Sequence, residues 1–280
     1  MRTLTMSSFS VKPALSFSIS ETAALLTRGF EGYLVPIQMN DVALQAMLRR
    51  DGVDLAESRI LLKDNIPVGV ALIARRGWTS RLAAMGIVAD ARNSGAGSWM
   101  MEKLIVEARA RGEKEMFLEV IEQNAPAVHL YQKFGFETVR RLLGFKIENP
   151  QAESDDALEE IDVREMGRLI SVCGLRDLPW QISAETIALH TPPTRSYKLG
   201  DAYLMMTNPE AARVVIWSVL VKADARRAGQ APRVIRAAFS RFPNKTWHIP
   251  ALCPEQIGAL FEKMGMMREE LSQFQMTLKL

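Results

Sequence analysis

The spacing of apolar and polar positions changes along the chain, and those changes mark its elements. Residues 21–30 (ETAALLTRGF) and 40–50 (NDVALQAMLRR) read as two helices. Residues 58–63 and 67–75 read as two strands, with Lys63-Asp64-Asn65 at the hairpin turn between them. A third strand covers 81–88 (RLAAMGIV), and Gly86 inside it predicts a bulge or a close backbone approach. From about Ser98 the apolar residues Met101, Leu104, Ile105 and Ala108 fall on one helical face, and Gly112 ends that helix. A strand at 115–121, a helix at 125–134 and a strand at 136–147 led by Gly135 complete the first half. Helices, then antiparallel strands, then β-α-β-α-β describe a mixed sheet of the α/β (α+β) kind.

The pattern breaks at 148–162 (ENPQAESDDALEEID), which carries seven acidic residues and no basic one. Asn149-Pro150 adds a turn signal. Its first half reads as a linker, and its second half as the opening of a helix, because acids suit a helix amino terminus. The expected domains are therefore 1–148 and 160–280, joined by 149–159. Beyond the break a similar order returns: a helix near 160–171, strands near 196–206 and 211–221, a helix near 232–241, a strand at 246–249, a helix at 255–264 and a strand at 271–279.

Composition narrows the function classes. A length of 280 residues fits about two domains. A hydrophobic share of 48% and a charged share of 24% describe a packed protein, not a disordered one. The apolar run at 68–74 is far short of the roughly 20 residues of a membrane span, and the amino terminus does not read as a leader. The net charge of +3 is near balance, and basic pairs such as Arg75-Arg76 and Arg226-Arg227 are scattered, which argues against nucleic acid as a partner. Two cysteines, Cys173 and Cys253, cannot form a disulfide framework, so a cytoplasmic location is expected. Three dispersed histidines give no metal site.

Residues 92–98 (RNSGAGS) follow a strand and open a helix. Unpaired N–H groups at a helix start, with the helix dipole behind them, attract a phosphate, and small residues let it approach. Gly95, Ala96, Gly97 and Ser98 meet that need, Asn93 and Ser94 lie in the same turn, and Arg92 could add charge. A glycine-rich turn with no ligand remains the alternative. The segment is neither a P-loop, which needs Gly-Lys-Ser/Thr, nor a dinucleotide fingerprint, because Met100 stands where the third glycine would be.

A second element follows at 119–136, EVIEQNAPAVHLYQKFGF. Together, Arg92-x-x-Gly95-x-Gly97 and Asn124-x-x-Ala127-x-x-Leu130-Tyr131-x-Lys133-x-Gly135-Phe136 resemble the GCN5-related N-acetyltransferase (GNAT) superfamily over roughly residues 30–147. Ala89 stands where the family often has proline. The resemblance implies transfer of an acetyl group from acetyl-CoA to a primary amine of a small molecule or peptide, by direct attack in a ternary complex and with no metal. It implies that the backbone of Met85, Gly86 and Ile87 pairs with the pantetheine, and that Asn124 caps its helix, contacts the pantetheine, or both. Tyr131 suits the acid that protonates the leaving thiolate, since a phenol with a pKa of about 10 is protonated at neutral pH; a packing tyrosine is the alternative. Glu119, twelve positions before Tyr131, is the candidate base, against a surface strand carboxylate or a water relay.

The second half looks like a copy of the first. RRAGQA at 226–231 matches the loop, and LFEKMGM at 260–266 matches LYQKFGF. Phe261 replaces Tyr131, Ile249 replaces Glu119, Pro254 replaces Asn124 and Pro232 replaces Ser98. The expectation is a tandem GNAT protein with one catalytic domain and one degenerate domain. The alternative is an acyl-CoA-binding regulatory protein without catalysis. The acceptor, the acyl preference and a homodimeric state are not legible.

Overall fold

A computed structural model describes residues 9–280. The reading of the amino terminus as leaderless rests partly on residues 1–8, which lie outside the described residues. Two compact units emerge. Unit 1 comprises residues up to Val120, Asn124–Val139 and Met276–Leu280; unit 2 comprises Ile121–Gln123 and Arg140–Gln275. This division does not coincide with a boundary at 148. The acidic stretch marks exposed chain, and exposure does not determine which partners the preceding strand takes.

Unit 1 runs β1 (Phe9–Pro13), α1 (Ile19–Gly29), α2 (Asp41–Asp51), β2 (Arg59–Lys63), β3 (Ile66–Arg76), β4 (Thr79–Ile87), α3 (Ala96–Ala110), β5 (Glu115–Ile121), α4 (Ala125–Lys133) and the start of β6 (Glu137–Glu148). β1 to β4 pair in order and antiparallel, and β5 joins β4 in parallel. The chain's last residues flank β5, where the Leu280 N–H donates to Lys114 O at 3.0 Å. Local chemistry explains the boundaries. Ser18 and Glu21 form a capping box on α1. Asp64 and Asn65 take φ of 52° and 65°, the left-handed pair that a tight hairpin requires. α3 buries Met101, Leu104, Ile105 and Ala108, the face read from its spacing, and starts two residues before Ser98.

Unit 2 runs β7 (Glu159–Ile161), α5 (Val163–Cys173), α6 (Ala184–Ile187), β8 (Arg195–Leu199), β9 (Ala202–Met206), β10 (Arg213–Val221), α7 (Gln230–Arg241), β11 (Thr246–Pro254), α8 (Gly258–Lys263) and β12 (Met267–Lys279). β7 to β10 pair antiparallel in order, β11 joins β10 in parallel, and β6 pairs antiparallel with β11. This is unit 1's order, element for element. The acidic stretch leads first into β7, and only after it into α5, capped by Asp162 accepting from the Arg164 N–H. The single strand expected at 196–206 is two, turning at Gly200 with φ +59°. The core gathers around fully buried Trp247 and Phe145.

The two thiols differ. Cys253 is buried and its pKa is pushed up to about 12 by desolvation, whereas Cys173 is partly exposed. Since the thiolate is the reactive form, one thiol per chain should react quickly with a disulfide reagent at pH 8 and the second only on unfolding. Fast reaction of both in the Cys173→Ser variant's parent chain, or any fast reaction in that variant, would contradict the assignment.

Candidate active site

The site in unit 1 begins with a sheet that opens. β4 and β5 pair only at Thr79–Arg81 with Glu115–Phe117. The β3–β4 register then shifts between Leu82 and Ala84, leaving Ala83 as an extra residue, a bulge that increases local twist. Met85, Gly86 and Ile87 keep partners on β3 (Ala71, Val70 and Gly69) while their β5 side is outside the ladder. Gly86 is therefore not the bulge; its role is the close approach. A Cβ on Gly86 would stand 3.1 Å from the Cα of Gly29, at the end of α1. Gly86→Ala should push α1 off the strand and cost about 1–3 kcal/mol, the usual range for overpacking. A urea midpoint unchanged from the parent would refute that contact.

The 92–98 loop is built on the strand end. Arg92 donates from Nε to Ile87 O at 2.9 Å and from Nη2 to Glu31 O at 2.7 Å and Gly29 O at 3.1 Å. Its charge thus satisfies orphan carbonyls at the end of α1 and pins the loop there. Asn93 takes φ +58° and Gly95 φ +86°. Ser94 Oγ donates to Ala91 O at 2.7 Å. Gly95 caps α3 without a side chain, and the first intrahelical bond runs from the Trp99 N–H to Gly95 O at 2.9 Å. The N–H groups of Ala96, Gly97 and Ser98 precede that bond and are the donors a phosphate would meet. α4 borders the loop, with Leu130 Cδ2 3.5 Å from where a Cβ on Gly97 would stand. At Gly95 a side chain meets no neighbour, so the glycine is there for its backbone angle. Gly95→Ala should cost about 1–2 kcal/mol, read as a lower unfolding midpoint.

Asn124 caps α4, its Oδ1 accepting from the Ala127 N–H at 3.4 Å. Its side chain also hydrogen-bonds the Tyr33 hydroxyl, which partly offsets the upward shift that burial imposes on that phenol. Tyr131 is buried in α4 and makes an edge contact with Phe136 at 5.8 Å. Burial raises its pKa well above the usual tyrosine value, and the neighbouring Tyr33 raises it further. Two phenols and a carboxamide thus meet beside the opened sheet. Tyr33 carries no motif and lies in the loop between α1 and α2, so the sequence reading missed it.

Glu119 is placed differently from the surface or cleft-facing carboxylate expected. Its carboxylate accepts from Arg81 Nε at 2.7 Å, and Arg81 Nη1 lies 3.6 Å from Asp51. The three side chains are 2%, 5% and 3% exposed, so this is an ion cluster out of solvent.

Unit 2 repeats the scaffold. β10 and β11 pair only at Arg213–Val215 with Thr246–His248, and Trp217 is the extra residue against β9. Each bulge lies four residues beyond the first parallel pair, from 79 to 83 and from 213 to 217. Arg226 repeats Arg92: its Nε donates to Val221 O at 3.2 Å and its Nη2 to Cys173 O, at the end of α5. Arg227 and Gly229 take φ of 64° and 74°, as Asn93 and Gly95 do in unit 1. The reactive positions differ: Phe261, in the place of Tyr131, packs on Phe145 at 5.5 Å.

Comparisons with known proteins agree with this construction. The sequence profile of the acetyltransferase (GNAT) family matches residues 26–136. Streptothricin acetyltransferase of Streptomyces lavendulae is 34% identical over 70 residues, which are 24% of this chain and 37% of that protein. A tandem GNAT protein of the clavulanic acid biosynthesis pathway superposes with a TM-score of 0.66 at 14% identity, covering 97% of this chain and 98% of its own. A GCN5-related N-acetyltransferase of Sphaerobacter thermophilus superposes with a TM-score of 0.66 at 13% identity, covering 97% and 95%. At those identities the likeness is one of fold. The chain thus has the fold of a tandem GNAT protein: residues 26–136 match the GNAT family profile, and a second unit of the same fold follows in which phenylalanine stands in the place of the motif tyrosine.

Proposed function

We propose that unit 1 transfers an acetyl group from acetyl-CoA to a primary amine, in a ternary complex, and that unit 2 does not catalyse. The observation that carries the reading is the meeting of three features in one unit. These are the opened β4–β5 pair, the helix-start donors at 96–98, and a neutral, buried phenol at Tyr131.

Acetyl-CoA would supply an activated acyl thioester. The N–H groups of the 92–98 loop suit its pyrophosphate, and the unladdered edge of Met85–Ile87 suits its amides. Tyr131 holds a proton that it can give to a departing thiolate sulfur, since burial keeps the phenol neutral. Asn124 and Tyr33 orient that end of the site. Glu119 already accepts from Arg81 Nε at 2.7 Å, and its side chain lies out of solvent. We therefore give proton removal from the amine to water and give Glu119 the holding of Arg81. Among the described residues no group of three or more metal-ligating side chains occurs. No described helix is long and apolar enough to cross a membrane. A small-molecule or peptide acceptor in the cytoplasm is the reading we adopt.

The test is thiol release from acetyl-CoA in the presence of an amine panel. The panel should include streptothricin, the substrate named for the relative that shares a 70-residue stretch, and amino-terminal peptides. Amine-dependent release supports the reading. The engagement of Glu119 favours a rival, acyl-CoA binding without transfer. Binding of acetyl-CoA with no release for any amine would favour that rival.

A further inference from the structure

The point where β4 and β5 part is held by charge. Arg81 closes the β4 side of the ladder, paired with Phe117. Glu119 lies two residues beyond Phe117, so its side chain leaves β5 on the same face, just past the last ladder pair. Its carboxylate accepts from Arg81 Nε at 2.7 Å. Arg81 Nη1 lies 3.6 Å from Asp51, at the end of α2. One guanidinium thus ties β4, β5 and α2 together out of solvent. The end of α2 is itself fixed on β3, where the Arg75 N–H donates to Gly52 O at 3.3 Å.

The fold does not need these charges. Burying ions carries a desolvation penalty, and apolar residues of similar volume often serve stability as well or better. Unit 2 opens in the same way with no charge at either place. Val215 closes its ladder where Arg81 does in unit 1. The place of Glu119 falls on Pro250 by ladder register and on Ile249 by counting back from Phe261. Both line a cavity of about 570 Å³ walled by α5, β10, α7, β11 and α8. The unit with phenylalanine at the motif tyrosine's place therefore lacks the pair, and the unit with Tyr131 keeps it.

What the pair adds is geometry. A guanidinium–carboxylate hydrogen bond fixes a distance of about 3 Å and a direction, whereas an apolar contact lets two strands slide. Beyond Arg81, the edge of Met85–Ile87 has no ladder partner on β5. Beyond Glu119, the chain leads from β5 to Asn124 and Tyr131. The angle at which the strands part therefore sets the distance from that edge to the Tyr131 hydroxyl.

We propose that Arg81 and Glu119 are positioning residues for the transfer reaction proposed above, on which this assignment rests. Their bond fixes the parting of β4 and β5. It thereby aligns a thioester held along Met85–Ile87 with Tyr131, and neither side chain touches the substrate.

The experiment uses the full chain as Glu119→Gln, as Glu119→Met, and as the double variant Arg81→Met with Glu119→Met. Thiol release is followed with the panel amine that the parent turns over fastest. Gln keeps an oxygen that can accept from Arg81, whereas Met keeps bulk and removes the bond. The double variant leaves neither charge of the pair alone, so its urea midpoint should exceed that of Arg81→Met. Per folded molecule its kcat should still fall about 10²-fold, the scale of a misplacement of about 1 Å, with the amine KM and the calorimetric acetyl-CoA Kd within about threefold of the parent. Glu119→Gln should recover about tenfold of what Glu119→Met loses. A merely structural pair would move the midpoints and leave kcat per folded molecule at the parent value in every variant; that result overturns the proposal. Equal losses in Glu119→Gln and Glu119→Met also overturn it, since they mark a lost base. If the double variant does not fold, the comparison of Glu119→Met with Glu119→Gln decides by the same kcat values. A parent chain that releases no thiol with any amine refutes the transfer reading and the assignment with it. An active parent with a fully active double variant refutes the positioning role alone. Circular dichroism of each variant gives the folded fraction.

Discussion

Tyr131→Phe is expected to lower kcat by about 10²–10⁴-fold, the usual worth of a positioned proton donor, and to leave acetyl-CoA affinity nearly unchanged. The substitution removes one hydroxyl. The edge contact with Phe136 and the packing of α4 survive it, and Phe261 shows that the same fold accepts phenylalanine at that place. The pH dependence follows from the direction of the shift. Burial holds the folded phenol's pKa above the roughly 10 of an unfolded tyrosine, so the neutral acid persists through the physiological range. Its contribution to stability is complete below about pH 10 and is lost as pH rises beyond that, through the folded value. A fall in kcat between pH 7 and pH 10 must therefore have another origin, and Tyr131→Phe should keep that part of the profile. A variant with undiminished kcat would leave Tyr131 a packing residue.

Arg81→Met should be the most damaging single change to stability. It removes the guanidinium that donates to the buried Glu119 carboxylate at 2.7 Å and lies 3.6 Å from Asp51, while Asp51 keeps its pairing with Arg50. Removing one partner of a buried ion pair costs about 3–5 kcal/mol, because the charge left behind is uncompensated. Denaturant unfolding should show the loss directly. Glu119→Gln then discriminates between two roles. If Glu119 holds Arg81, activity per folded molecule changes little and the unfolding midpoint falls. If Glu119 removes the amine proton, activity per folded molecule drops by about two orders of magnitude or more.

Much of the scaffold was legible because local chemistry and packing agree. The α3 face, the hairpin at Asp64-Asn65 and the helix ending before Gly112 follow from residue type and spacing, and the structure places them there. The GNAT resemblance and the duplication were legible from Arg92, Gly95, Tyr131 and their counterparts. β1 and β7 were not, since short edge strands carry little periodicity, yet they make the two units match element for element. The bulges at Ala83 and Trp217 were also hidden, because a register shift depends on the neighbouring strand and leaves no mark in its own. The partners of charged side chains were the least legible. Arg92 reads as a phosphate ligand and is bonded to three carbonyls; Glu119 reads as a strand carboxylate and is buried with an arginine 38 residues away. Tyr33 joins the site through a loop whose sequence has no chemical signature. The second unit's cavity depends on five elements converging, which no single segment encodes.

We propose that unit 1 holds acetyl-CoA between the opened strand pair and the start of α3. Amide hydrogen exchange, followed with and without acetyl-CoA, tests it most directly. Slower exchange of the amides at 95–98 and along 83–87 is expected when acetyl-CoA is present, with α5 and α6 unchanged. Exchange unaltered at both segments, or protection confined to residues 213–232, would contradict it.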